Sequence, residues 1–433
     1  MLKTPLNLLD AAFLNLDTRE NPWSVHVEVR VEGKFEVEKL VKAIHAAAQT
    51  HPIAKARMAE HNAVATVYEW HIPNEPEHLA LNVVSAKNLA EVEAARARLQ
   101  SILVPLSVSP SFLCTLVHHP GGDYFMLNVS HSSGDGMSTF RLMQSIMRHY
   151  AKQADPVAVD ALTVRDLKAL AGSQSLTERI ERTKIFLDFL WRAVTPPVRL
   201  APKKGRSTGD ESVYGFKLLA FNPKDTAKVM TKRVKPATVN DLLLAGLAHT
   251  VKEWNKLNAG KQGRISVMMP VNLRPAEWWH DSFGNYSSYV SVSLTQDEQS
   301  SLSESVQAIT RQTAILKEKG GASVLIDLLD IPKWLPAALK SRLRDIFPVA
   351  SHNLVESTLL SNLGRLAEFP TVGSAGAVKE LYFSPPAIMP LGVSVGAASV
   401  ADEMFLTVRY HRDQFDEAAA GEFADLYRKI LTD

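Results

Sequence analysis

Apolar and polar residues alternate along Trp23–Val31 (WSVHVEVRV), the period of a half-buried strand, and Gly33 ends the run. The period then changes. Across Val37–Thr50, Leu40, Val41, Ile44 and Ala48 fall on one helical stripe, which His51-Pro52 closes. Helical spacing also covers Leu6–Leu16 and Ala90–Leu103, and a further strand is expected over Val64–His71. Phe112–Val117 and Tyr124–Val129 read as strands joined by Pro120-Gly121-Gly122-Asp123, which predicts a hairpin. The second strand of that hairpin runs straight into His131-Ser132-Ser133-Gly134-Asp135-Gly136. A helix is expected after it, over about Ser138–Ala151, with Phe140, Met143, Ile146 and Met147 on its apolar side.

Helical spacing returns over Leu176–Val194, and then the composition shifts. Pro196-Pro197 and the stretch Ala201–Glu211 (APKKGRSTGDE) are rich in Pro, Gly and charge, so residues 196–212 are the expected linker. Beyond it, strands are expected at Tyr214–Ala220, Ile265–Met269, Tyr286–Leu294, Val378–Phe383, Gly392–Val400 and Met404–Tyr410. Helices are expected at Thr238–Lys256, with Thr238 or Asn240 as N-cap, at Leu302–Lys317 and at Phe415–Leu431. Strands and helices alternate on both sides of the linker. The simplest architecture is α/β, with an N-terminal subdomain over 1–195 and a C-terminal subdomain over 213–433.

Composition narrows the function. The 48 basic and 46 acidic residues leave a formal charge of +2, without the positive surplus that phosphate-backbone binding needs, so no nucleic-acid partner is expected. The single cysteine, Cys114, excludes an internal disulfide and a cysteine zinc site, and its apolar strand suggests a core position. No basic region followed by an apolar run opens the chain, and no apolar stretch approaches ~18 residues, so a cytoplasmic location is expected. Two amphipathic stretches, 185–194 and 331–347, combine Trp and Leu with Arg and Lys and raise peripheral membrane contact; packing against the core is the plainer and favoured reading.

The chemistry concentrates at His131. A strand delivers the imidazole to its C-terminal end, and the small residues that follow let a substrate approach the backbone closely. With an unperturbed pKa of ~6.5, such a histidine can act as general base on a hydroxyl or amine. Asp135, four residues on, could pair with it across a turn, or point away and hold the loop. Chance predicts about 0.03 such motifs in a chain of this composition, against the plainer reading of a satisfied histidine in a turn.

The HxxxDG element after a hairpin strand resembles the CoA-dependent acyltransferase superfamily. That group includes chloramphenicol acetyltransferase, plant alcohol acyltransferases, peptide-synthetase condensation domains, polyketide-associated acyltransferases and bacterial wax ester synthases. Three more segments are similar to its bacterial branches, in the right order: Leu6–Leu14 (LNLLDAAFL), Pro270–Pro275 (PVNLRP) with Phe283-Gly284-Asn285, and Ser361-Asn362-Leu363-Gly364. The resemblance implies two chloramphenicol-acetyltransferase-like subdomains, mixed sheets with helices, and an active-site tunnel between them. It implies an acyltransferase with His131 as general base, moving an acyl group from acyl-CoA or a phosphopantetheine thioester to an acceptor hydroxyl, with no acyl-enzyme. It makes Asp135 a structural residue paired with Arg274, beside Gly136. No bound cofactor or metal is implied; an acyl-carrier protein is a possible partner. Asn285, Ser361 and Asn362 are candidate oxyanion donors. The alternatives are an amide-forming condensation enzyme on carrier-bound substrates and a non-catalytic condensation-like binding module.

The chain departs from its relatives at Ser130, where many carry a second histidine, and in lacking a Pro-Leu-Trp before the hairpin. Both loosen the tie to wax ester synthases. One rival motif is Gly392-Val393-Ser394-Val395-Gly396, a GxSxG pattern. A nucleophile elbow needs a helix directly after the strand, whereas Ala397–Tyr410 reads as a hairpin, so Ser394 with Asp402 and His411 is not expected to form a triad.

Overall fold

The computed structural model describes residues 2–157, 159–192, 195–204, 212–279, 281–318, 320–330, 334–342, 356–366 and 369–433. In the first half, strands are β1 (Leu2–Pro5), β2 (Ser24–Val31), β3 (Arg57–Met58), β4 (Glu69–Ile72), β5 (Leu81–Ser85), β6 (Phe112–His118) and β7 (Tyr124–Ser130). The helices there are α1 (Leu8–Leu16), α2 (Val37–Thr50), α3 (Leu89–Ser101), α4 (Gly136–Tyr150), α5 (Leu167–Ala171) and α6 (Leu176–Arg192). In the second half, strands are β8 (Tyr214–Phe221), β9 (Ile265–Asn272), β10 (Ser287–Leu294), β11 (Thr358–Leu366), β12 (Val378–Ser384), β13 (Val393–Val400) and β14 (Glu403–His411). Its helices are α7 (Pro223–Thr231), α8 (Val239–Leu257), α9 (Leu302–Glu318), α10 (Val324–Leu329), α11 (Ala337–Lys340) and α12 (Glu417–Thr432).

Each half is built on a mixed sheet. The first has the order β12-β2-β7-β6-β5, antiparallel except for β5 beside β6. The second runs β10-β9-β11-β13-β14-β8, with β11 parallel to both neighbours. A small sheet, β1-β4-β3, stands apart. Val25, Val27 and Val29 of β2 share one core with Leu40 and Ile44 of α2 and Phe140 and Met143 of α4. In the second half, α8 and α12 bury Leu243, Leu247, Trp254, Phe423 and Tyr427 against β13 and β14.

Four expectations change. β2 is buried on both faces, not one: His26 and Glu28, on its polar side, lie under α3, where Arg96 grips Glu28 bidentately at 2.6 and 2.7 Å. Val64–His71 is a strand only from Glu69 onward, and Val64 and Val67 are exposed. The earlier backbone is committed elsewhere, since the Ala63 and Ala65 carbonyls accept the Ala338 and Ala337 N–H groups at the start of α11. Residues 196–204 of the expected linker pack onto the second half, with Leu200 and Ala201 in its core and Ala201 N–H on Asn255 Oδ1; residues 205–211 lie outside the described residues.

The fourth change concerns connectivity. β12 comes from the second half of the chain but forms the edge of the first sheet, antiparallel to β2. It crosses β13 at Gly396, where a Cβ would sit 2.0 Å from the Phe383 carbonyl oxygen. Only glycine permits that approach. The second glycine of the GxSxG pattern thus serves chain crossing. Ser394 is buried in β13 and donates to the Pro385 carbonyl, Asp402 is in the β13–β14 turn, and no helix follows. The hydrolase arrangement is absent.

No helix among the described residues is long and apolar enough to cross a membrane. Of the amphipathic stretch 331–347 only residues 334–342 are described, and side chains within 185–194 are mostly outside the described residues.

Candidate active site

The central strand β7 ends at Ser130, and the chain turns at once. The Ser133 and Gly134 N–H groups return to the Ser130 carbonyl, and α4 begins at Gly136 with Asp135 as its N-cap. This tight turn leaves His131 at the mouth of the sheet. Its N–H is tied to the Trp23 carbonyl at 2.9 Å, at the start of the neighbouring β2. Gly136 is required by packing: a Cβ there would lie 2.9 Å from the Phe383 ring and 3.1 Å from Leu363 of β11.

Asp135 points away from His131. It accepts the Ser138 N–H on Oδ1 and the Tyr286 N–H on Oδ2, both at 2.9 Å. Arg274, from the loop after β9, meets it as a fork: NH1 to Oδ2 at 2.8 Å and NH2 to Oδ1 at 3.0 Å. The guanidinium also donates to the Ser282 and Ser138 hydroxyls at 2.8 Å and lies over the Tyr286 ring. Burial alone would raise the Asp135 carboxyl, but the Arg274 charge and these hydrogen bonds bring it below the ordinary carboxylate range. The pair therefore ties the two halves together as fixed opposite charges.

His131 shows the opposite electrostatic outcome. Burial lowers its pKa to about 4, against smaller upward pushes from its own carbonyl and from Asp135. The imidazole is neutral at pH 7. Its Nδ1 is sealed from solvent and makes no hydrogen bond. Phe13, on α1, stacks on the ring at 3.9 Å between centroids and 19° between planes, and Trp23 packs beside both. A neutral imidazole, packed among apolar rings but partly open, can accept a proton from a substrate.

The sequence singled out Asn285 as an oxyanion donor. In the structure its amide nitrogen is spent on the His131 backbone carbonyl, at 2.7 Å. Ser361 and Asn362 lie on β11, and Leu363 beside them touches the position opposite Gly136. The Asn362 Oδ1 accepts the Gly364 N–H at 2.8 Å. Several participants were missed: Phe13 and Trp23 on the imidazole, Ser138 linking Arg274 to Gly284, and Asn7, whose amide reaches the Asn285 carbonyl at 2.9 Å. Only Asn7 had a local signal, the N-cap pattern Asn7-x-x-Asp10. No cluster of three or more metal-ligating side chains exists among the described residues. Cys114 is buried in β6, and burial pushes its thiol up, which removes it as a nucleophile.

Known proteins match this chain in sequence and fold. The condensation-domain family model matches residues 12–332, about three quarters of the chain. The chain belongs to the condensation-domain family. Through it the chain falls in the CoA-dependent acyltransferase superfamily, and its function is acyltransferase-like in that coarse sense. An uncharacterized protein of Mycobacterium tuberculosis is 34% identical over 433 residues, covering 98% of both chains. Surfactin synthase subunit 2 of Bacillus subtilis is 22% identical over 284 residues, which is 60% of this chain and 8% of that one. Among solved structures, the first condensation domain of the calcium-dependent antibiotic synthetase superposes with a TM-score of 0.73 at 14% identity, covering 100% of this chain and 96% of that one. The epimerization domain of tyrocidine synthetase B gives 0.65 at 16% identity, covering 100% and 97%. At these identities the structural matches establish the condensation-domain fold, two halves like those of chloramphenicol acetyltransferase.

Proposed function

We propose that this condensation-family protein transfers an acyl group from a thioester, acyl-CoA or acyl-carrier-bound, to an acceptor hydroxyl, with His131 as general base. The observation that carries this reading is the contrast within one turn. His131 is neutral and partly open, while Asp135 is ionised and fully engaged by Arg274. A base must be unprotonated before it can act, and the structural carboxylate must not compete for its proton.

The acceptor O–H proton passes to Nε2 as the oxygen attacks the thioester carbonyl. The tetrahedral intermediate collapses by breaking the C–S bond, and the proton on Nε2 goes to the departing thiolate. Atoms balance without an acyl-enzyme and without a bound cofactor. Under this reading residues 1–195 supply the base, residues 213–433 supply Arg274 and Asn285, and the substrates meet in a tunnel between them. Ser361 and Asn362 remain candidate oxyanion donors on β11.

A second reading has support from the comparisons. The surfactin synthase match and the antibiotic-synthetase fold favour amide formation on carrier-bound substrates. A thiol-release assay over acyl-CoA lengths and a panel of alcohols and amines separates the two. Release stimulated by alcohols supports ester formation, and release stimulated only by amines supports the second reading. No acceptor-dependent release, from CoA or carrier thioesters, contradicts both.

A further inference from the structure

The neutral imidazole of His131 has two possible proton positions, and only one leaves Nε2 able to accept. Nδ1 is sealed from solvent and makes no hydrogen bond, and the backbone group that acts on the imidazole is the residue's own carbonyl. That carbonyl oxygen is held from outside. The Asn285 amide donates to it at 2.7 Å, from the second half of the molecule.

Asn285 is itself seated at both ends. The N–H of the next residue, Tyr286, is bonded to Asp135, which fixes the loop against the motif turn. The Asn285 carbonyl accepts the Asn7 side-chain amide at 2.9 Å. Asn7 in turn cannot rotate freely. Its Oδ1 caps α1 by accepting the Asp10 N–H at 2.8 Å, while Asp10 returns a bond to the Asn7 N–H and is gripped by Trp70 and Arg165. The same helix carries Phe13 onto the face of the imidazole. One short helix therefore governs both the ring's face and, through Asn285, its backbone.

We infer that Asn285, seated by Asn7, is a positioning residue for His131: its amide fixes the carbonyl oxygen that the imidazole Nδ1–H faces, and so holds the tautomer whose free lone pair is on Nε2. This rests on His131 being the general base. It also gives Asn285 a task different from oxyanion binding, in which it would touch substrate.

The test uses the full chain labelled with 15N-histidine, the His131 signals being those lost in His131→Ala. Wild type is expected to show the Nδ1-protonated tautomer. Asn285→Asp keeps the shape but loses the donor; it is expected to mix the tautomers and lower kcat about 100-fold with KM changed by less than about 3-fold. Asn7→Ser keeps the helix cap and loses the amide that reaches Asn285; a smaller fall, about 5-fold, with a partial tautomer shift is expected. If Asn285→Asp does not fold, Asn7→Ser alone decides. Folded variants with the wild-type tautomer overturn the inference, whether or not kcat falls. If the wild type releases no thiol with any acceptor, acyl transfer fails, yet the NMR measurement still decides whether Asn285 and Asn7 set the tautomer.

Discussion

Two buried carboxylates in this protein are each gripped by an arginine fork, one at the junction of the halves and one inside the first half. Asp135 with Arg274 joins the motif turn to the loop after β9, and Glu28 with Arg96 joins β2 to α3. Burial would raise both acids, and both are brought down by their arginines, Glu28 to about 2. The difference lies in what else each one holds. Glu28 adds only His26, whose Nε2 is 2.9 Å away; burial lowers that imidazole and keeps it neutral. Asp135 adds the backbone N–H groups of Ser138 and Tyr286, the first turn of α4 and the segment next to Asn285. An ion pair of the first kind stabilises a layer; one of the second kind also sets the geometry of a site.

That comparison can be broken by removing each acid in turn. Asp135→Ala strands the Arg274 charge and frees two backbone donors. The expected outcome is a loss of ~3–5 kcal/mol in chemical denaturation and a drop of about 100-fold or more in activity per folded molecule. Glu28→Ala strands Arg96 and should cost a similar ~3–5 kcal/mol, yet activity per folded molecule should stay within about 2-fold. A Glu28 variant that stays folded but inactive would erase the distinction.

The smallest effect concerns Asp17, whose carboxyl accepts the Trp23 N–H at 2.8 Å with no arginine among the described residues to grip it. Burial pushes its pKa up to about 7, only partly opposed by that hydrogen bond. Between the ordinary value near 3.8 and about 7, the unfolded chain gives up a proton that the folded protein keeps, so this group lowers stability as pH rises through that window. Glu28 acts with the opposite sign: its contribution is present above pH 4.5 and is lost as pH falls toward about 2. Asp17→Asn should flatten the pH dependence of the unfolding midpoint between pH 4 and 7, and an unchanged slope would remove Asp17 as its source.

The legible parts of the sequence were those with local causes. The Val25, Val27 and Val29 alternation, the α2 stripe and the hairpin before His131 follow from period and turn residues, and the structure has them. What escaped was set at long range. The polar side of β2 reads as exposed because the partner of Glu28, Arg96, lies 68 residues away on α3. The hairpin after the GxSxG pattern argues against a nucleophile elbow, but nothing local reveals that its second glycine is where β12 crosses. At the site, His131 was visible from its strand and its small neighbours. The Asp135–Arg274 pair was visible only through family resemblance, and nothing local pointed to the bond between Asn285 and the His131 carbonyl. Phe13 on the imidazole had no signal, since an apolar residue on an amphipathic helix reads as core.

His131 is proposed as the proton-accepting group of a direct acyl transfer. That role is tested most directly by thiol release at pH 7 with the best acyl donor and acceptor, comparing wild type with a folded His131→Ala variant. Wild type should release thiol in an acceptor-dependent way and the variant only at background; equal release by the two rules out His131 as the base.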